Sequence, residues 1–163
     1  MFEYYIDFKI KDPQTSYFIN RLFTKIHGFM TKNRSFFAMD LPSASEISSG
    51  DILRIFSDAV SIDKITNDPR INMYIKNKVI ETTYLVQIPK KITQFVILKR
   101  NRFAEKVTYP KNKKKPFHIN YENNSNGKVF SLYLDRTIVD KHKEGEFTSF
   151  GTSKDSSTVP YLE

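Results

Sequence analysis

Polar and apolar residues alternate in "FEYYIDFKI", residues 2–10, as they do in a half-buried strand, and Asp12-Pro13 ends the pattern. From about Ser16 to Thr31 the period changes. Phe18, Leu22, Ile26, Phe29 and Met30 recur at three- and four-residue spacing, so they share one face of a helix and should pack on a core. "RSFFAMDL" reads as a second strand stopped by Pro42, "SASEISSGD" as a polar loop and "ILRIFS" as a third strand. Ser61 is expected to cap a helix that begins "SIDKI"; Asp68-Pro69 interrupts it, and "INMYIKN" makes a second piece. "VIETTYLVQI" supplies a fourth strand. The order strand, helix, strand, strand, helix, strand over residues 1–88 is that of a ferredoxin-like α+β platform, which by itself assigns no function.

Past Pro89 the pattern becomes strand-rich with basic connections. "ITQFVIL" is a candidate strand, and "PFHINYENNSNGKVFSLYLD" reads as a hairpin, two alternating runs around a turn that ends in Asn126-Gly127. The closing stretch, "EFTSFGTSKDSSTVPYL", offers two short strands around a polar loop. A boundary near Pro89 is therefore expected, with a ferredoxin-like domain over 1–88 and a smaller, basic, β-rich half over 89–163. No internal repeat and no heptad is present.

Composition sharpens this picture. The 163 residues include fourteen Phe and nine Tyr but no Trp and no Cys, so the core is aromatic and there is no disulfide framework, CxxC metal site or cysteine nucleophile. The opening residues lack the basic and apolar regions of a leader, and no apolar run is long enough to span a bilayer; a cytoplasmic protein without a membrane partner is expected.

Charge is unevenly placed. Between Pro89 and Pro116 stand Lys90, Lys91, Lys99, Arg100, Arg102, Lys106, Lys111, Lys113, Lys114 and Lys115 against one acid, Glu105. That segment carries +9, and with a formal total of +8 the rest of the chain is near −1. A near-neutral body with one basic segment suits a polyanion, because phosphate contacts release counterions and dominate non-specific affinity. Phe95, Phe103 and Tyr109, interleaved with the charges, favour nucleic acid, since bases stack on such rings. A merely solvated lysine loop is the plain alternative for "KNKKK".

Candidate chemistry is sparse. No glycine-rich phosphate loop, no His/Asp/Glu cluster with metal spacing and no nucleophile elbow occurs, so no metal or other cofactor is expected. His118 alternates within a strand and His142 lies in a polar loop. His27 in "LFTKIHGFM" lies off the apolar helical face, beside Phe23 and close to Asn20, Thr24 and Thr31. There the ring can be held by packing while one nitrogen meets solvent or a ligand.

Five stretches in order along the chain, "YYIDFKI", "LFTKIH", "GDILRIF", "VFSLYL" and "FTSFGTSK…VPY", carry a resemblance. The chain resembles the CRISPR RNA-processing endoribonucleases of type I-F systems, which cut each repeat beside its hairpin and stay bound to the product. The resemblance implies that His27, at the family histidine's place in "FTKIH", is the general base of a metal-independent cleavage. It also implies that Phe130 in "KVFSLYL" stacks at the base of the RNA stem, that the basic residues Lys99, Arg100, Arg102, Lys106, Lys111, Lys113, Lys114 and Lys115 bind RNA, and that other subunits of a type I-F effector complex are partners.

Departures accompany the match. The family's ribose-fixing serine has no exact counterpart, and Ser125 is the possible stand-in; the family tyrosine near the C terminus is replaced by Phe150, which keeps the ring and loses the hydroxyl. The family's Arg and Gln readers of the stem base fall at Phe95 and Ile97. The interval between Asn101 and Pro116 is too short for the family's long arginine-rich helix and richer in Lys. A non-catalytic subunit that holds a repeat hairpin, and a basic RNA-binding domain unrelated to CRISPR, remain the rival readings.

Overall fold

The computed structural model describes residues 2–110, 112, 115–123 and 125–163. Strand β1 (Tyr4–Ile10) turns Ile6, Phe8 and Ile10 into the core, as its alternation dictates. After the Asp12-Pro13 break comes helix α1 (Thr15–Lys32), within one residue of the expected span at each end. Strands β2 (Ala38–Asp40) and β3 (Ile52–Ser57) follow, then helices α2 (Ala59–Asn67) and α3 (Pro69–Lys76), then strands β4 (Ile80–Thr82) and β5 (Val86–Gln87). The sheet order is β2-β3-β1-β4, with β5 also on β1 and every pair antiparallel. This is the ferredoxin-like arrangement read from the sequence.

Two local expectations are corrected. Asp58, not Ser61, caps α2: its carboxylate accepts hydrogen bonds from the Ser61 amide at 2.8 Å and the Ser61 hydroxyl at 2.7 Å, so Ser61 is already inside the first turn. The fourth strand is split. Phe8 faces Thr82 and Tyr5 faces Val86, so Thr83, Tyr84 and Leu85 stand opposite two residues of β1 and form a bulge. The extra residue pushes Tyr84 out to 93% exposure.

A second sheet holds β6 (Phe95–Arg100), β7 (His118–Glu122), β8 (Val129–Val139) and β9 (Val159–Pro160) in the order β7-β8-β6-β9. β7 and β8 are the expected hairpin, with Tyr121 opposite Phe130 and Gly127 at φ +67° in the turn, the left-handed region its missing side chain permits. The C-terminal stretch supplies β9 and isolated bridges from Ser153 to Lys99 and Phe147, in place of two full strands.

Buried residues from both sides of Pro89 form one cluster, including Phe8, Leu22 and Ile55 as well as Leu98, Ile119 and Leu132. Two buried ion pairs brace it. Arg136 on β8 grips fully buried Asp40 on β2 through two bonds of 2.7 and 2.9 Å. Arg54 on β3 does the same to Asp7 on β1 at 2.7 and 2.8 Å, and also donates to the Leu162 carbonyl at 2.6 Å, which ties down the end of the chain. No described helix is long and apolar enough to cross a membrane.

Candidate functional site

Helix α1 and strand β7 lie side by side in matching register. The Asn120 amide donates to Asn20 Oδ1 at 2.9 Å, and the Glu122 amide donates to Thr24 Oγ1 at 3.4 Å. Four helical residues rise about 6 Å and two strand residues about 6.6 Å, so the pairings can repeat along the contact. Arg21 adds an ion pair to Glu122 at 2.9 Å. One helical turn beyond Thr24 comes His27.

His27 sits among rings drawn from distant parts of the chain. Its centroid is 4.6 Å from Phe150, stacked at 18°, and 4.9 Å from Tyr121, edge-on at 83°. Phe23, one turn back on α1, is 6.3 Å away. Phe130 closes the group, 4.9 Å from Tyr121 and 6.3 Å from Phe150. These rings come together because β7 alternation turns Ile119 and Tyr121 toward α1, and cross-strand pairing brings Phe130 onto the same face.

The expectation that one His27 nitrogen meets solvent is overturned. The residue is 8% exposed, and Nδ1 and Nε2 are both buried without a hydrogen-bond partner. The reason is tertiary: α1 is covered on one side by the first sheet and on another by β7 and the Phe150 turn, so its buried face is wider than the apolar stripe. Burial pushes the His27 pKa below its ordinary value and keeps the ring neutral near pH 7. Two sealed, unpaired ring nitrogens cost on the order of 1–3 kcal/mol each, an outlay that a packing role does not require.

Phe150 is presented by a tight turn. Thr148 Oγ1 accepts from the Phe150 amide at 3.2 Å, the Thr148 carbonyl accepts from the Gly151 amide at 2.9 Å, and Thr148 and Thr152 are bonded across the turn. Gly151 has φ +75°, and a Cβ there would lie 2.5 Å from the Phe37 ring, so glycine is required on both counts. The Gly151 carbonyl accepts from the Met39 amide at 2.9 Å, anchoring the turn to β2.

Arg100, at the end of β6, places its guanidinium carbon 5.9 Å over the Phe150 ring. It is forked onto Glu105, with Nε on one carboxylate oxygen and Nη2 on the other. Glu105 stands in a single 3-10 turn, Ala104–Lys106, whose first amide is capped by Asn101 Oδ1 at 2.8 Å. Among the described residues between Asn101 and Pro116 this turn stands where a long arginine-rich helix would be.

The other sequence candidates spread around this centre. Lys99, Arg102, Lys106 and Lys115 are exposed, with Arg102 Nη1 at 3.8 Å from Glu105 Oε2. Lys111, Lys113 and Lys114 lie outside the described residues. Ser125, in the β7–β8 turn, is exposed and donates its hydroxyl to Asn123 Oδ1 at 2.5 Å; no hydrogen bond joins it to His27. Sequence reasoning missed Tyr121, although the alternation of "HINYE" and its place opposite Phe130 in the hairpin were enough to put it on the inward face.

The family described as CRISPR-associated protein (Cas_Csy4) matches residues 5–115, from β1 through α1 and His27 to the basic segment. No curated protein matches the chain. The β7–β8 hairpin and the Phe150 turn lie beyond the matched span, yet they fold back onto its histidine. With well over half of its length matched, the chain belongs to the Cas_Csy4 family of CRISPR-associated proteins, the repeat-processing endoribonucleases of type I-F systems.

Proposed function

We propose that this protein binds a CRISPR repeat hairpin, cuts the precursor RNA beside it without a metal ion, and stays on the product as a subunit of a type I-F effector complex. The observation that carries the reading is the imidazole of His27 packed between Tyr121 and Phe150, with the Arg100 guanidinium over the same Phe150 ring. In this reaction His27 takes the proton from a ribose 2′-OH, the 2′ oxygen attacks the adjacent phosphorus, and the bond to the 5′ oxygen breaks. The leaving oxygen takes a proton from water, giving a cyclic 2′,3′-phosphate and a 5′-hydroxyl. A positioned base contributes roughly 10²–10⁴-fold. Because both nitrogens are covered, the RNA must first draw the ring out from beneath Phe150.

That same cover favours a second reading, a hairpin-binding subunit that does not cut: the imidazole is sealed, Phe150 has no hydroxyl, and Ser125 bonds within its own turn. Single-turnover assays on a cognate repeat hairpin separate the two. Cleavage should persist with chelator present, stop with a 2′-deoxy residue at the cut site, and fall on the order of 10²-fold or more in His27→Ala while RNA affinity changes little. Tight binding by the wild-type protein with no cut would establish the second reading instead.

A further inference from the structure

Three rings touch His27, and two of them, Phe23 and Phe150, are hydrocarbon. Of the three, only Tyr121 carries a polar atom, and that atom does not bond either imidazole nitrogen. Its position follows from the hairpin: strand alternation turns it inward with Ile119, pairing sets Phe130 opposite, and its ring then meets His27 edge-on at 4.9 Å and Phe150 at 5.4 Å. The residue is 9% exposed, so nearly all of it is packed.

The phenol oxygen is a different matter. Among the described residues the sealed, unpaired side-chain polar atoms are the two nitrogens of His27, so the Tyr121 oxygen is not one of them. No side chain or backbone group of the described residues bonds it either. A tyrosine whose ring is used for packing and whose hydroxyl no described residue bonds offers a donor that phenylalanine would not, since packing alone is served equally well without the oxygen.

We propose that Tyr121 is a further catalytic residue of the RNA-cutting site, its hydroxyl donating a hydrogen bond to a non-bridging oxygen of the phosphate attacked beside His27. This inference rests on the cleavage reading above. The tyrosine proton is shared and not transferred: His27 receives the 2′-OH proton, the new bond joins the 2′ oxygen to phosphorus, the 5′ oxygen leaves with the electron pair of its broken bond and takes a proton from water, and Tyr121 ends the step as it began. Charge grows on the non-bridging oxygens as the fifth oxygen approaches, so a donor placed beside them binds the transition state better than the ground state. Burial raises the Tyr121 pKa, so the hydroxyl stays protonated and available throughout the neutral range.

The test is Tyr121→Phe in the full chain, which deletes one oxygen and leaves the ring. Single-turnover cleavage of a cognate repeat hairpin, the dissociation constant for the same RNA, the melting temperature and the pH dependence of the cleavage rate are measured beside wild type and His27→Ala. The expected result is a rate lower on the order of 10²-fold, the loss typical of one such donor, with affinity and melting temperature unchanged and the His27 limb of the pH profile kept. A Tyr121→Phe variant that cuts at the wild-type rate overturns the proposal, as does one whose rate falls only in step with its melting temperature. If wild type itself binds the hairpin and leaves it whole, the cleavage reading has failed and takes this role with it; normal cutting by wild type and Tyr121→Phe, with loss in His27→Ala, isolates the failure to Tyr121.

Discussion

The imidazole of His27 and the phenyl ring of Phe150 lie face to face, centroids 4.6 Å apart and planes 18° from parallel. One belongs to the first helix and the other to a turn near the end of the chain, so the burial of His27 is made by tertiary packing and can be undone at a distance. Phe150→Ala should open one face of the imidazole to water and raise its pKa toward the ordinary value near 6.5. An NMR titration of the His27 ring in both proteins checks this. Equal values would show that Phe23 and Tyr121 alone hold the ring dry.

The same burial links His27 to stability. Its folded pKa is depressed, so the unfolded chain takes up the proton first as pH falls. The stabilisation from the neutral, buried ring is therefore complete above about pH 6.5 and is lost as pH drops from there through the folded value. Among the described residues the rings against the imidazole are those of Phe23, Tyr121 and Phe150, and the guanidinium of Arg100 lies over the Phe150 ring. Urea unfolding at pH 7.5 and 5.5 should show a loss of stability on acidification that is smaller in His27→Phe, where the site stays aromatic and cannot titrate. An identical loss in both proteins would assign the acid sensitivity elsewhere.

What the sequence shows of this fold, and what it hides, follows from where the information resides. The change from alternation in "YYIDFKI" to three- and four-residue spacing from Phe18 to Met30 is local, and both elements stand where that pattern puts them. The turn around Asn126-Gly127 is likewise set by its own residues. The bulge at Thr83–Leu85 is not local: "IETTYLVQI" alternates acceptably throughout, and the break exists only in its register with β1. Asp58 and Ser61 are both good capping residues, and choosing between them requires knowing that β3 ends at Ser57. For the site, the periodicity puts His27 at the rim of the apolar face, but its covering by Tyr121 and Phe150 comes from segments about a hundred residues away, beyond the reach of any window along the helix.

The brace between the two sheets gives a prediction about stability that is independent of RNA. Asp40 is fully buried and both its oxygens are taken by Arg136. Arg136→Met strands a carboxylate in the core and should cost about 3–5 kcal/mol, whereas adding Asp40→Leu removes the stranded charge and should restore much of the loss. Urea denaturation of the wild type, the single variant and the double variant measures both steps. A single variant within about 1 kcal/mol of wild type would mean that water reaches Asp40 when the arginine is gone.

Lys99, Arg102 and Lys106 flank Arg100 and Glu105 along the chain and are exposed, Arg102 with only a 3.8 Å contact to Glu105, so they can meet phosphates without disturbing the His27 stack. Each phosphate contact on duplex RNA releases condensed counterion, so its removal should reduce the slope of log K against log salt by roughly 0.9, taking the duplex-DNA value as a guide. Replacing all three with Gln should therefore weaken hairpin binding and flatten that slope by about two to three, with the cleavage rate of RNA already bound nearly unchanged. Lys99 and Lys106 lack the planar fork by which arginine reads guanine, so the affinity lost with those two should be similar for hairpins of different stem sequence but equal stability, and any dependence on stem sequence should trace to Arg102. Binding measured across a salt series on such a panel decides the matter. A slope equal to that of wild type would mean that these side chains point into solvent in the complex, and a loss confined to one stem sequence would mean that they read bases instead of backbone.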